Sequence, residues 1–145
     1  MKLTNELKME FDARSANEGL ARSAVSQFAL QLDPTLEELG DIKTAVSEAV
    51  SNAIIHAYPE TIGRVYLRAR VFEGGVLDLI VRDRGVGIES IEEARRPMYT
   101  TGGAERSGMG FTIMESFMDT LRVRSAPGRG TVVSMRRRVT PRAFR

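Results

Sequence analysis

The chain contains no cysteine, which excludes disulfides and thiolate metal sites and suits a reducing compartment. No apolar run approaches the length that spans a membrane. The first eleven residues, MKLTNELKMEF, lack the continuous apolar stretch of a signal peptide. There is no internal repeat, low-complexity tract or linker. These absences lead us to expect a soluble cytoplasmic protein with no membrane contact. The 145 residues fit one domain spanning residues 1–145, large enough to bury a core without staples.

Charge of one sign is missing from one end. Beyond Asp119 there is no acidic residue and there are eight arginines, although the whole chain carries only +2. Such an end could contact nucleic acid or an acidic protein, or be a solvated strand followed by a frayed terminus. Arg142 and Arg145 read as the latter. For Arg136, Arg137 and Arg138 the two readings stand level. Aromatic residues are sparse there, which argues against a stacking platform and direct nucleic-acid binding.

What is present reads as alternating strands and helices. Residues 2–11 place Leu7, Met9 and Phe11 in strand alternation. Ser15 and Glu18 have the spacing of a capping box, opening a helix to about Leu32. Asp33-Pro34 reads as a second cap with proline at the first helical position. The helix it opens runs to about Tyr58, with Gly40 as a candidate interruption and Pro59 as its stop. Val65, Leu67, Ala69 and Val71, then Leu77, Leu79 and Val81, alternate around Gly74-Gly75 and predict a hairpin. Residues 83–110 are glycine-rich and aperiodic. A helix over 111–118 and strands over 121–125 and 131–135 complete the chain. The fold class expected is α+β: a two-layer α/β sandwich whose mixed, mostly antiparallel sheet is covered on one face by helices.

Three motifs carry chemistry. On the second helix, Ala45, Val46, Ala49, Val50, Ala53 and Ile54 form an apolar stripe. Glu48, Asn52 and His56 recur every fourth residue on another side. A carboxylate there can take a proton from a hydroxyl. An amide oxygen one turn on can ligate Mg²⁺ alongside substrate phosphates. Taken alone, this helix reads as an ordinary polar stripe, because Glu and Asn four residues apart are common. Asp83-x-Gly85-x-Gly87 follows a strand, where a carboxylate can accept from an exocyclic amine and glycines permit close approach. Ser107-Gly108-Met109-Gly110 precedes a helix, whose first amides suit phosphate. It is neither a Walker A loop nor a Rossmann fingerprint. In this order the motifs suggest one nucleotide site. Residues 98–107, with Thr100, Thr101, Gly102 and Gly103, read as a lid.

With these residues the sequence resembles the GHKL superfamily and its Bergerat ATP-binding fold, over nearly the whole chain. Glu48-x-x-x-Asn52 resembles the N box. Residues 83–87 and 107–110 resemble the two glycine boxes, and Gly128-x-Gly130-Thr131 the last box. Residues 47–56 and 105–115 narrow the resemblance to the anti-sigma F factors of spore-forming bacteria. These are serine kinases that also hold a sporulation sigma factor inactive. The general-stress anti-sigma kinases are similar.

The resemblance implies a general base at Glu48, Mg²⁺ on Asn52 and the adenine amine on Asp83. It implies ATP or ADP held by Gly85, Gly87, Thr101, Arg106, Ser107, Gly108, Met109, Gly110 and Thr131. It also implies a homodimer, a sigma-factor partner touching Arg22, and an anti-anti-sigma substrate phosphorylated on serine. A sigma-binding module that uses ATP only as a conformational ligand is an alternative. A detached histidine-kinase catalytic domain is another, but there is no room for a phosphoacceptor helix before Phe11. His56 reads as structural. The chain departs from the family at Ala57, where glycine is usual, in a lid about one residue short without Lys-Pro, and in its arginine-rich end.

Overall fold

The computed structural model describes residues 1–95 and 109–141. Strand β1 (Leu3–Asp12) leads into α1 (Ala16–Ala29), a 3₁₀ turn at Leu30–Leu32 and the long helix α2 (Leu36–His56). Then come β2 (Arg64–Phe72), β3 (Val76–Asp83), the one-turn α3 (Ile91–Ala94), α4 (Met109–Phe117), β4 (Thr120–Ser125) and β5 (Thr131–Arg138). No described helix is long and apolar enough to cross a membrane.

The strands form one sheet in the order β1-β2-β3-β5-β4. Every pairing is antiparallel, so the expected parallel element is absent among the described residues. The connections explain this. β2–β3 and β4–β5 are hairpins, and a pair of helices carries the chain from β1 back to β2. The first hairpin turns at Gly74 and Gly75, whose φ angles of 89° and 79° disfavour a side chain.

One sheet face is apolar and buried. Val65, Leu67, Ala69 and Val71 of β2 stand opposite Asp83, Val81, Leu79 and Leu77 of β3. Met135 and Val133 of β5 continue the rows. Against them α2 buries Ile42, Ala45, Val46, Ala49, Val50 and Ala53; Ile42 extends the stripe read from the sequence by one turn, while Ile54, placed in it, is only partly buried. α1 and α4 pack on either side of α2. Replacing Ile42, which is fully buried, with alanine would cost about 2–5 kcal/mol. The other sheet face is covered by no helix among the described residues and carries charged side chains.

Several local expectations are corrected. Ser15 precedes α1 in right-handed helical geometry (φ −54°, ψ −35°) and makes no side-chain cap. Glu18 turns instead to Arg22, 3.0 Å away. The working capping box belongs to α2: Thr35 Oγ1 accepts from Glu38 N at 3.1 Å and Glu38 Oε1 from Thr35 N at 2.9 Å. Asp33 is not the cap, because it takes a left-handed conformation (φ 53°) that closes the 3₁₀ turn. Gly40 does not interrupt α2. It faces open space, so the helix tolerates its intrinsic cost of roughly 1 kcal/mol. α3, capped by Ser90, is too short to show a period. β5 continues past Met135 because Arg136, Arg137 and Arg138 stay in register with Asp78, Leu77 and Val76.

The end of the chain is fastened to α2. Glu38 Oε2 accepts from Thr140 N at 2.8 Å. Arg137 bonds Asp41 at 3.0 Å and the Phe117 carbonyl at the end of α4. Burial raises the proton affinity of Glu38, but the amides of Thr140 and Thr35 outweigh it and hold this carboxyl below its ordinary value.

Candidate functional site

Between α2, the end of β3, the turn before β5 and the start of α4 lies a cavity of about 430 Å³. α2 supplies Asn52 and His56, β3 supplies Asp83, and β5 supplies Thr131. Val86, Gly87 and Ile88 form one wall, and Phe111 of α4 closes another. Asn52, Asp83, Gly87 and Thr131, distant in sequence, therefore meet around one space.

The floor is built by close backbone approaches. A Cβ at Gly85 would strike the Ala57 carbonyl, one at Gly87 the Ala126 carbonyl, and one at Gly130 the Asp83 carbonyl. Gly87 and Gly130 also have positive φ, 77° and 79°. Each glycine lets one element touch the next: α2 against the β3 loop, that loop against the β4–β5 turn, and the turn against the end of β3. Val86 reinforces the joint. Its N–H donates to the Ala57 carbonyl at 2.8 Å, and its carbonyl accepts from Gly128 N at 2.7 Å. Ala57, at the usual glycine position, thus takes part through its backbone.

Asp83 is buried, and its Oδ1 accepts from Gly85 N at 2.9 Å. Burial pushes its carboxyl above the ordinary value, against the lowering effect of the Gly85 and Thr131 amides. A buried acceptor at the bottom of a largely apolar pocket suits a neutral donor such as an amine edge.

Glu48 is not among the residues lining the cavity; it lies one helical turn before Asn52, which is. A Cβ added to Gly110, in the first turn of α4, would lie 3.1 Å from Glu48 Oε2 and 3.2 Å and 3.3 Å from the amide atoms of Asn52. The bare backbone of α4 thus passes directly over both side chains. Burial, then the nearby charge of Glu18, push the Glu48 carboxyl upward. That moves a carboxylate toward the proton affinity useful in a base.

Met109 is the first residue of α4, while Thr101, Arg106, Ser107 and Gly108 lie outside the described residues. Arg22 is not in the cavity. It lies on α1, bonded to Glu18 at 3.0 Å and to Ser47 Oγ at 3.4 Å, next to Glu48 in sequence.

Two residues were not foreseen. Ser125 Oγ accepts from Ile88 N at 2.8 Å, donates to the Gly130 carbonyl at 2.9 Å and bonds Thr131 Oγ1 at 2.8 Å. It ties the glycine loop to the Thr131 hydroxyl, and its register partner is Thr131. Pairing the two strands across their turn would have found it. Tyr58 Oη accepts from Arg84 N and donates to the Arg64 carbonyl, both at 2.7 Å. Its ring fills the place a side chain at Gly63 would need. An aromatic directly after a helix end was its only sequence signal.

The donors fit a nucleotide carrying its own Mg²⁺. No group of three or more acidic or histidine side chains among the described residues could hold a metal. Asn52 offers one oxygen, and Mg²⁺ commonly takes the rest from phosphates and water. The glycine-backed first turn of α4 leaves room for phosphate beside it.

Residues 11–137 match the Histidine kinase-like ATPase domain family. The anti-sigma F factor of Pasteuria penetrans is 57% identical over 90% of this chain and 89% of that protein. The anti-sigma F factor of Priestia megaterium is 49% identical over 95% of each. Among solved structures, the RsbU and RsbW domains of a Mycobacterium tuberculosis protein superpose with a TM-score of 0.68 at 20% identity. That match covers 94% of this chain and 32% of the other, and its likeness is one of fold.

Proposed function

The chain belongs to the anti-sigma F factors, within the histidine kinase-like ATPase domains, and from that we propose that it is an ATP-dependent protein serine kinase. It binds a sigma F-like sporulation factor and holds it inactive, and it phosphorylates an anti-anti-sigma protein on serine. Residues 1–145 act as one cytoplasmic domain and pair as a homodimer. The observation that carries the reading is the placement of Glu48 and Asn52 side by side beneath Gly110, with Asn52 lining the pocket that buried Asp83 also lines.

In this reading the adenine amine donates to Asp83, and Thr131, held by Ser125, borders the base. The phosphates run toward the first turn of α4, whose N-terminal end favours negative charge. Asn52 would hold Mg²⁺, which supplies charge stabilisation on the phosphoryl oxygens. Glu48 orients the partner's serine and takes its hydroxyl proton. The serine oxygen bonds to the γ-phosphorus as the bond to the bridging oxygen breaks, and ADP leaves. Arg22 lies on the α1 surface beside Glu48, where a docked partner would meet it.

The test is incubation with Mg-ATP and the anti-anti-sigma protein of the same genome, with Glu48→Ala as control. Acid-stable phosphate on serine that disappears in the control supports the kinase. Nucleotide binding without transfer would leave a nucleotide-switched sigma-binding module. Acid-labile phosphate on a partner histidine would overturn the serine assignment.

A further inference from the structure

The arginines after Asp119 are sorted by the fold. Arg137 points toward the helices and is paired with Asp41. Arg136 is on the uncovered face, paired with Asp78 at 3.3 Å and set over the Phe72 ring. Arg122 and Arg124 of the edge strand β4 are exposed, as is Arg82 of β3. None of these three makes an ion pair among the described residues.

The ladder gathers them. Arg82 and Arg124 are the register partners of Val132 from its two sides. Arg122 stands opposite Ser134, whose other partner is Ile80. With strands about 4.8 Å apart and alternate residues about 6.8 Å apart, the three Cα atoms fall within about 12 Å. Val132 and Ile80, both partly exposed, form an apolar floor between them.

The acids described on this face are already engaged. Asp78 lies between Arg70 and Arg136, Glu6 bonds Arg68, and Glu10 and Asp12 bond Arg64. The patch is therefore not neutralised by its own sheet, and the same face of a second copy has no spare carboxylate there to offer. Nucleic acid fits poorly as well. Its phosphates would gain nothing from the apolar floor. The rings that could stack on bases are covered, Tyr66 by Arg84 and Phe72 by Arg70 and Arg136. Arginines around apolar side chains are instead the composition of a protein-binding surface.

We propose that the uncovered face at β3, β5 and β4 docks an acidic, extended segment of a partner protein, its carboxylates on Arg82, Arg122 and Arg124 and an apolar side chain on Val132 and Ile80. The surface lies on the side of the sheet away from the nucleotide cavity and does not depend on the kinase chemistry.

The test uses the full chain and fluorescence anisotropy with a labelled peptide alternating Asp or Glu with Val, its Asn/Gln counterpart, and DNA in single-stranded and duplex forms. The acidic peptide should bind at least tenfold more tightly than the neutral one. Arg122→Glu with Arg124→Glu should remove that preference while binding of a fluorescent ATP analogue is unchanged. Should the double variant lose the analogue too, Arg82→Ala alone serves as the variant, with at least a threefold loss expected. Equal binding of both peptides, or unchanged acidic-peptide binding by the variants, overturns the proposal. So does DNA binding tighter than peptide, or a variant that alters self-association in sedimentation.

Discussion

Glu48 faces Gly110 across the α2–α4 boundary: the space a methyl at residue 110 would take lies 3.1 Å from Glu48 Oε2. The glycine is thus a matter of clearance at the site rather than of backbone freedom, since it sits inside a regular helix.

Gly110→Ala should separate folding from function. Alanine is favoured over glycine in a helix by roughly 1 kcal/mol, so thermal stability should hold. The methyl crowds both Glu48 and Asn52, and phosphotransfer should fall at least tenfold. Wild-type transfer by this variant, measured with Mg-ATP, would remove Gly110 from the site.

Glu48 should set the acid limb of the pH–rate profile. Its carboxyl is raised by burial and then by Glu18, so its base form is lost as pH falls through a value above the ordinary glutamate range near 4.3. Glu18→Gln removes one cause, and the limb should move to lower pH. A limb that stays put in that variant would show that Glu18 does not act on Glu48.

Asp83→Asn should exchange binding for stability. A carboxyl whose folded value is raised contributes stability below its unfolded value and loses it as pH rises through the folded one. The stability of the variant relative to wild type should therefore increase between pH 4 and pH 7.5 in paired thermal melts, while affinity for ATP falls at least tenfold. A pH-independent difference would refute the burial argument.

Tyr58→Phe deletes the hydroxyl that joins the Arg84 amide to the Arg64 carbonyl. The loss should be about 1 kcal/mol of stability, with weaker nucleotide binding because Arg84 leads directly into Gly85. Urea denaturation and ATP titration check both. A variant that loses stability but keeps full affinity would confine Tyr58 to the fold.

The buried stripe of α2 was legible because six apolar residues repeat at the helical period, and the β2–β3 hairpin because alternation breaks at two glycines. Glu48, Asn52 and Asp83 were legible as motif residues. Ser15 misled because a capping pattern does not fix the backbone angles a cap needs, whereas Thr35 has them (φ −68°, ψ 163°). Ser125 and Tyr58 were missed because both work by reaching backbone groups of other elements, and no local pattern records that. The arginine run at 136–138 was undecided because one strand sends Arg137 to one face and its neighbours to the other.

The order of the strands has a consequence for synthesis on the ribosome. β3 ends at Asp83, but one of its two neighbours in the sheet is β5, which is made only after α4 and β4. A nascent chain that has emerged only through α4 has Asp83 yet lacks Thr131, the turn behind Gly87 and the Arg137 tie to Asp41. The cavity around Asp83 therefore closes only once β5 has emerged, and nucleotide binding should separate chains that contain β5 from those that stop before it.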